Sequence, residues 1–257
     1  MKLVRYAVGR AVAYGLLEED GAVRRITGSP FEPLRPGQTR HPVHEVRLLA
    51  PVDAPRIIGV GLNYVSHIRE CNVSAPALPM LFMKHPSAVI GPGEAIVYPR
   101  RAKKVDFEGE LAVVIGRHAR RVSEAQALDY VLGYTCANDV SERETQVAEM
   151  KMGCLLVGKS YNTFCPLGPA IVTGLDPASL DLTTRLNGQV RQRINTSDLL
   201  FSVAGLVAYL SQAMTLWPGD TILTGTPSGV GPLQPGDVVE VEISGIGVLR
   251  NPVAAEA

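Results

Sequence analysis

The chain has 257 residues, of which 46% are hydrophobic and 19% are charged, a composition typical of a folded protein rather than a disordered one. Lys and Arg together number 25, and so do Asp and Glu, so no net charge is present to attract nucleic acid or an anionic membrane. The four cysteines show no C-x-x-C spacing, which argues against a thiolate zinc site and against a disulfide framework. Charges interrupt the N-terminal segment and no apolar run has membrane-spanning length. We therefore expect a soluble, cytoplasmic protein that binds a small molecule and has no nucleic-acid or membrane partner.

The first part of the chain has the pattern of a small β unit. Short strands are predicted over residues 4–8, 11–17 and 21–26, and the Pro- and Gly-containing residues 29–42 are predicted to form a loop. After Pro51 the pattern changes, and residues 57–64 (IIGVGLNY) indicate a buried strand that ends at Gly61. The sequence thus predicts a small N-terminal β domain of residues 1–52 and a larger domain of residues 53–257.

Two helices and several further strands are predicted in the larger domain. One helix begins at Ser123, with Gln126 as the partner in a capping box, and runs to about Val131. The other follows Ser197 and Asp198 and ends before WPGD; its helical spacing is carried by Leu199, Leu200, Val203, Leu206, Val207, Leu210 and Met214. Strands are predicted over residues 111–115, 170–172, 183–186, 221–224 and 238–243. Because strands outnumber helices without alternating with them, we expect a mixed, β-rich α+β fold.

The most informative stretch is VDFEGELAVVIG, which contains three acidic residues at alternate positions. In a strand, Asp106, Glu108 and Glu110 share one face, and three carboxylates leading into an apolar run repel one another and lose hydration. A bound cation offsets both costs. The alternative is an exposed edge strand with a solvated acidic face, and the pattern alone leaves both interpretations open.

A further carboxylate follows another apolar strand. In GYTCANDVSERETQ, Asp139 comes at the end of the strand, where it could complete a site made only of oxygen ligands. Such a site suits Mg²⁺ or Mn²⁺, with Ca²⁺ as a further candidate, rather than zinc or copper. Taken alone, Asp139 is more often a turn or helix cap than a metal ligand.

Seven blocks of residues resemble one known family in the same order along the chain. They are VGLNYVSHIRE, LFMKHPSAVIGPG, VDFEGELAVVIG, GYTCANDVSERETQ, GKSYNTFCPLGPAIVT, LNGQVRQRINTS and MTLWPGDTILTGTPSGVGPLQPGD. The sequence resembles the fumarylacetoacetate hydrolase family over almost all of residues 56–253. The resemblance implies the β-roll catalytic domain of that family and assembly as a homodimer.

The resemblance also implies roles for individual residues. It implies that Glu108, Glu110 and Asp139 hold the metal ion, and that Asp106 is their neighbour rather than a ligand. The catalytic residues that it implies are His67 and Glu70, on a short lid, together with Lys159. The substrate-binding residues that it implies are Arg143, Gln146 and Thr226. His67 and Glu70 are three residues apart, so on a helical turn Glu70 can orient the imidazole. Taken singly, His67 is more often a surface histidine and Lys159 a surface lysine.

The predicted activity is that of an enzyme acting on an enolisable 2-oxo or dienol diacid. The resemblance favours a 2-hydroxyhepta-2,4-diene-1,7-dioate isomerase/decarboxylase of aromatic catabolism. The alternatives are an acylpyruvate hydrolase or an oxaloacetate decarboxylase and, from another class, a metal-binding protein without turnover. For the far carboxylate of a diacid, Arg191 and Arg193 are the candidate partners, although both fit equally well as solvent-facing strand residues.

Overall fold

The computed structural model of the protein describes residues 1–53 and 55–257. The strands are β1 (Lys2–Val8), β2 (Ala11–Leu17), β3 (Ala22–Thr27), β4 (Arg35–Pro42), β5 (Arg47–Leu49), β6 (Ile57–Gly61), β7 (Met80–Lys84), β8 (Val89–Ile90), β9 (Ile96–Tyr98), β10 (Val105–Phe107), β11 (Gly109–Ile115), β12 (Val131–Asn138), β13 (Ser141–Glu142), β14 (Cys165–Val172), β15 (Asp181–Leu186), β16 (Gln189–Asn195), β17 (Thr221–Leu223), β18 (Gly231–Pro232), β19 (Val238–Ile243) and β20 (Gly247–Ala255). The α-helices are α1 (Val65–Glu70), α2 (Arg143–Lys151) and α3 (Val203–Ala213). Short 3₁₀ helices cover Val43–Glu45, Pro86–Ala88, Glu124–Tyr130, Val157–Lys159 and Thr196–Asp198.

The largest sheet contains 12 of the described strands. Ten lie in the order β4-β3-β2-β1-β14-β12-β11-β17-β6-β7, while β5 pairs with β1 and β8 pairs with β14. Near the middle, β11 is buried along its whole length between β12 and β17. A strand covered on both faces is encoded by a continuous apolar run, which explains the sequence LAVVI in β11.

The N-terminal strands are an extension of this large sheet. Strands β1 to β3 confirm the three strands predicted there, and β1 also pairs with β14. The predicted loop over residues 29–42 is wrong in its second half, because Arg35–Pro42 forms β4. This strand lies at the sheet edge and pairs only with β3, so Pro36 and Pro42, which lack an amide hydrogen, need not serve a second partner. The division into two domains at residue 52 stays a prediction.

A smaller sheet packs against the large one. Its strands lie in the order β16-β15-β19-β20-β9, and a third sheet has the order β13-β10-β18. One hydrophobic cluster joins the layers; it includes Leu111 and Val113 of β11, Leu182 of β15, Val241 of β19 and Leu206 of α3. Each such side chain contributes about 1.5–3 kcal/mol on burial. These layers confirm the mixed, sheet-rich fold expected from the sequence.

Both predicted helices differ from the structure at their N-terminal ends. Glu124–Tyr130 is a 3₁₀ helix, and the Ser123 hydroxyl bonds the Gln126 side chain rather than capping the backbone. The second helix is shorter than predicted, because α3 begins after Ser202, whose hydroxyl accepts a hydrogen bond from Gly205 N. Leu199 and Leu200 lie outside α3 because they pair with the backbone around Asn63 and Tyr64. Tertiary pairing has overridden the apolar spacing there.

The acidic stretch does not form one uninterrupted strand. Strand β10 belongs to the three-stranded sheet and β11 to the large sheet, and Glu108 lies between them where the chain passes from one sheet to the other. This junction places both glutamates at the end of a long buried strand. In the described parts of the chain, 1–53 and 55–257, no helix is long and apolar enough to cross a membrane.

Candidate active site

Three buried carboxylates lie together where β11 begins and β12 ends. Antiparallel pairing sets Gly109 opposite Asn138, which brings Glu108 and Glu110 beside Asp139. Two further bonds fix the chain there: Asp139 N donates to Glu108 O at 2.8 Å, and Glu108 N donates to Asn138 Oδ1 at 2.9 Å. Each carboxylate offers an oxygen within 4.8 Å of the others. We call Glu108, Glu110 and Asp139 the carboxylate floor.

The charges of two of these carboxylates are balanced by buried cations. Lys159 Nζ lies 2.7 Å from Glu108 and 2.6 Å from Asp139, and Arg143 NH1 lies 2.7 Å from the other oxygen of Glu108. Burial alone would raise the pKa of Glu108, but Lys159 and Arg143 lower it well below its usual range. Burial alone would lower the pKa of Lys159, but Asp139 and Glu108 raise it. Lys159 is therefore a charged, buried lysine rather than a surface residue.

Glu110 is the exception on the floor. Its Oε2 accepts one hydrogen bond from Gly225 N at 2.7 Å, and within residues 1–53 and 55–257 it takes part in no ion pair. Burial, and then the charges of Asp139 and Glu108, raise its pKa well above the usual value. A buried carboxylate with no cation beside it is costly, and a divalent ion on the floor offsets that cost. The donor set contains only carboxylate oxygens, so these residues fit a hard divalent cation.

Lys84 is a buried cation that the sequence analysis missed. Its Nζ lies 2.5 Å from Asp139 Oδ1 and also donates to Val140 O at 3.1 Å. The signal was present in β7, because Lys84 is two residues after the buried Phe82 and so shares its face. A lysine on the apolar face of a strand needs a buried partner, and here that partner is Asp139.

Helix α1 carries His67 and Glu70, and His67 lines the same cavity as the floor. Because they are three residues apart on one turn, His67 Nδ1 lies 2.8 Å from Glu70 Oε2. Glu70 Oε1 accepts a second bond from Gly229 N at 2.9 Å. With Nδ1 taken by Glu70, Nε2 is the ring nitrogen left for proton transfer. The thiol of Cys71 lies 3.7 Å from Nε2, a neighbour that the sequence analysis did not single out.

Arg143 and Gln146 lie one turn apart at the start of α2. Arg143 Nε donates to Asp106 Oδ2 at 2.7 Å, and NH1 donates to Gln146 Oε1 at 2.8 Å. Burial alone would lower the pKa of Arg143, but the carboxylates of Glu108 and Asp106 outweigh this effect and raise the pKa above its usual value. The guanidinium therefore keeps its charge while buried. Its contact with Asp106 places that carboxylate beside the floor, outside the group of three.

Thr226 has its hydroxyl bound by the protein itself. Thr226 Oγ1 donates to Gly109 O at 3.0 Å and accepts from Gln192 Nε2 at 2.8 Å. For this hydroxyl to donate to a substrate carboxylate, as the resemblance implies, its hydrogen must turn away from Gly109. Gln192 was not singled out in the sequence, although it lies between two residues that were.

One cavity of about 320 Å³ unites the predicted residues. Its lining includes His67, Glu108, Glu110, Asp139, Arg143, Gln146, Lys159 and Thr226. Glu70 is not in the lining and reaches the cavity only through His67. The remaining wall is mainly apolar, and includes Val73, Met80, Met150, Leu155 and Val230.

The two candidate arginines for a far carboxylate do not line this cavity. Arg191 lines a separate depression with Phe107, and Arg193 lines another with Glu242. Both are exposed, whereas Gln192 between them is buried, as the alternation of a strand requires. The structure thus places the arginines as solvent-facing strand residues.

Comparison with known proteins gives matches over nearly the whole chain. The family described as fumarylacetoacetate (FAA) hydrolase, C-terminal, matches residues 56–254, and the one described as Rv2993c-like, N-terminal, matches residues 1–51. Two similar solved structures are a 5-carboxymethyl-2-hydroxymuconate delta-isomerase from Mycobacterium smegmatis and a 2-hydroxyhepta-2,4-diene-1,7-dioate isomerase from Mycobacterium marinum. The first has a TM-score of 0.92 and 46% identity, with all of both chains covered. The second has a TM-score of 0.90 and 44% identity, covering 100% of this chain and 99% of the other.

A similar curated relative is the mitochondrial oxaloacetate tautomerase Fahd2a of Rattus norvegicus. It is 44% identical over 223 residues, which is 82% of this chain and 71% of the relative. The matching family and the named relatives are isomerases, tautomerases and hydrolases, so this chain is an enzyme of that class. The chain belongs to the fumarylacetoacetate hydrolase family.

Proposed function

We propose that this protein is a divalent-metal-dependent isomerase that moves a proton within an enolisable 2-oxo or dienol diacid. The observation that carries the proposal is the placement of His67 and the carboxylate floor on one cavity. The three relatives reported above are named for isomerisation or tautomerisation, which are both proton shifts. We take 2-hydroxyhepta-2,4-diene-1,7-dioate isomerisation as the first candidate reaction, with decarboxylation as a further outcome.

The metal ion is proposed to be Mg²⁺ or Mn²⁺, held by Glu108, Glu110 and Asp139. When bound, it supplies Lewis acidity that stabilises the negative charge developing on an enolate. The charges around the site are consistent with an anionic substrate, because Arg143 and Lys159 line the same cavity. Assembly as a homodimer stays a prediction from the resemblance.

The protein residues have separate roles in this scheme. Glu70 holds Nδ1 of His67, so that Nε2 can take the proton of the enol hydroxyl of a dienol and return one to a carbon of the diene. With a 2-oxo acid, the same shift runs in reverse, from the carbon beside the 2-oxo group to the oxygen. Arg143 and Gln146 bind and orient the carboxylate end of the substrate, together with Thr226. Lys159 polarises the second carbonyl from its position between Glu108 and Asp139.

The alternatives differ in which bond breaks. An acylpyruvate hydrolase cleaves a C–C bond with water, and an oxaloacetate decarboxylase releases carbon dioxide. A metal-binding protein without turnover breaks no bond, but it has no use for a histidine whose second nitrogen is held by a carboxylate over the floor. The His67–Glu70 pair therefore favours an enzyme.

The test is a comparison of a C7 dienedioate, oxaloacetate and acetylpyruvate at one Mg²⁺ concentration in D₂O. We expect enzyme-dependent exchange of the proton beside the 2-oxo group, measured by NMR against an enzyme-free blank, and faster turnover of the two diacids. Glu110→Gln serves as the inactive control. A clear preference for acetylpyruvate, with pyruvate as a product, would contradict the proposal and support the hydrolase. Tight Mg²⁺ binding without exchange on any of the three would support the non-catalytic alternative.

A further inference from the structure

Gln192 is a fully buried amide that connects three parts of the site. It lies on β16 and is 1% exposed. Its Oε1 accepts from Gly109 N at 3.0 Å, and its Nε2 donates to Thr226 Oγ1 at 2.8 Å and to Pro227 O at 2.9 Å. All the hydrogen-bonding groups of the amide except one lone pair are thus engaged within the site. Gln192 itself does not line the cavity.

The first contact acts on the peptide between two of the floor carboxylates. Gly109 separates Glu108 from Glu110; its N–H is held by Gln192 and its carbonyl by the Thr226 hydroxyl. Position 109 needs a glycine, because a Cβ there would lie 2.0 Å from the hydroxyl oxygen of Thr184. The orientation of this one residue determines how the two glutamate side chains diverge. Gln192 therefore acts on the spacing of the floor through the backbone.

The second contact acts on the substrate-binding threonine. Because Gln192 Nε2 donates to Thr226 Oγ1, the hydroxyl must direct its own hydrogen elsewhere. Its acceptor in this structure is Gly109 O, and the cavity is the other direction open to it. An amide donor at Thr226 thus keeps the threonine hydroxyl a donor, which is the role needed for a substrate carboxylate.

We infer that Gln192 is a positioning residue with two effects. Through Gly109 it fixes the spacing of the floor carboxylates, and through Thr226 it fixes the direction in which the threonine hydroxyl donates its hydrogen. This inference rests on the metal-dependent function proposed above. It assigns a role to a neutral residue between two arginines, where sequence reasoning had looked for charge. We call the amide oxygen, which contacts Gly109, and the amide nitrogen, which contacts Thr226, the two arms of Gln192. The oxygen should affect metal binding and the nitrogen substrate binding, so the two effects are separable.

The experiment compares Gln192→Met and Gln192→Glu with the control Gln189→Met, which changes an exposed glutamine on the same strand. Mg²⁺ and Mn²⁺ affinities are measured by calorimetry on metal-free protein, and KM and kcat on the C7 dienedioate. Gln192→Met removes both arms, so we expect metal affinity to fall about 10- to 100-fold, the usual effect of losing a group that orients a ligand. Gln189→Met should match wild type.

Gln192→Glu separates the two arms. At a pH where the new carboxyl is ionised, it can still accept from Gly109 N but cannot donate to Thr226. We therefore expect a smaller loss of metal affinity than in Gln192→Met and a KM raised about tenfold or more, with a smaller change in kcat. A purely structural role would lower the unfolding temperature of both variants while leaving the metal affinity and KM of the folded protein unchanged, and that result would overturn the inference. If Gln192→Met does not fold, an unchanged KM in Gln192→Glu overturns it alone. If wild type binds neither metal, the proposed function fails instead.

Discussion

The carboxylate floor and His67 of helix α1 line one cavity but are held by different kinds of contact. The floor residues are at most 5% exposed and lie at the start of β11 and the end of β12, two strands that are paired on both sides. Helix α1 has six residues, too few to be stable alone, and its His67–Glu70 pair is partly exposed. Two backbone-to-carboxylate bonds attach it to other parts of the chain, from Ser66 N to Asp198 and from Gly229 N to Glu70.

This difference indicates that the proposed metal-binding and proton-transfer functions depend on different parts of the fold. Groups that must hold fixed charges close together lie in the most rigid part of the sheet, where movement would break long-range pairing. The proposed proton-transfer group, His67, lies on a segment with little buried apolar surface, which is the kind of segment that opens at low cost. The comparison therefore predicts that changes to the floor affect metal binding first, whereas changes to α1 affect turnover first.

The largest effect is expected from replacing a carboxylate of the floor. Glu108→Gln and Glu110→Gln each remove one ligand charge, and we expect Mg²⁺ or Mn²⁺ affinity to fall by more than about 100-fold, beyond the usual effect of losing a group that only orients a ligand. Calorimetry on metal-free protein measures this, with the exposed Glu144→Gln as control.

The same two variants should differ in the stability of the metal-free protein. Glu108→Gln removes one of the two carboxylate partners of Lys159 and of Arg143, which keep only Asp139 and Asp106, so its free energy of unfolding should fall. Glu110→Gln replaces a buried carboxyl group that has no cation beside it and keeps an acceptor for Gly225 N, so it should unfold no more easily than wild type. Wild-type metal affinity in either variant would show that the ligand assignment is wrong.

A smaller effect, confined to turnover, is expected on α1. His67→Ala removes the proposed proton-transfer group, so turnover should fall about 100-fold or more. Mg²⁺ affinity should change little, because His67 is not part of the floor. Steady-state kinetics and calorimetry together check this, with the exposed His44→Ala as control. Equal losses of turnover and metal affinity would make His67 a ligand or a structural residue.

The smallest effect concerns pH and Glu110, the carboxylate of the floor that has no ion pair among the described residues. In the metal-free protein the pKa of Glu110 is raised above its unfolded value, chiefly by burial and by Asp139. Its stabilising contribution is therefore complete below the ordinary carboxyl pKa and is lost as pH rises through the raised pKa. One proton limits the slope to about 1.4 kcal/mol per pH unit. Denaturant unfolding over pH should show this loss in wild type and not in Glu110→Gln, and an identical pH profile for the two would contradict the raised pKa.

Local sequence patterns predicted the parts of the site that depend on neighbours along the chain. The resemblance implied His67 and Glu70, and their contact agrees with their spacing on one helical turn. Glu108 and Glu110 both line the cavity, as their alternate positions predicted, although Glu108 lies just outside β11. Local patterns failed where long-range pairing determined the structure. The backbone of Leu199 and Leu200 pairs with the segment before α1 instead of forming a helix, and Arg35–Pro42 becomes an edge strand because β3 offers it a partner.

The sequence by itself determined the sheet-rich class and the family, and it predicted residues for the acid, base and ligand roles that the structure brings to one cavity. Only the tertiary structure decided which charges are balanced. Lys84 and Lys159 are 55 and 20 residues away from Asp139 in sequence, and Gln192 is 83 residues away from Gly109, yet each is in hydrogen-bond contact there. The periodicity of a strand shows on which face of the sheet a side chain lies, but it does not show which distant residues pack against that face. The charge state of a buried carboxylate depends on those distant partners, so it is determined by packing between sheets rather than by any local run of residues.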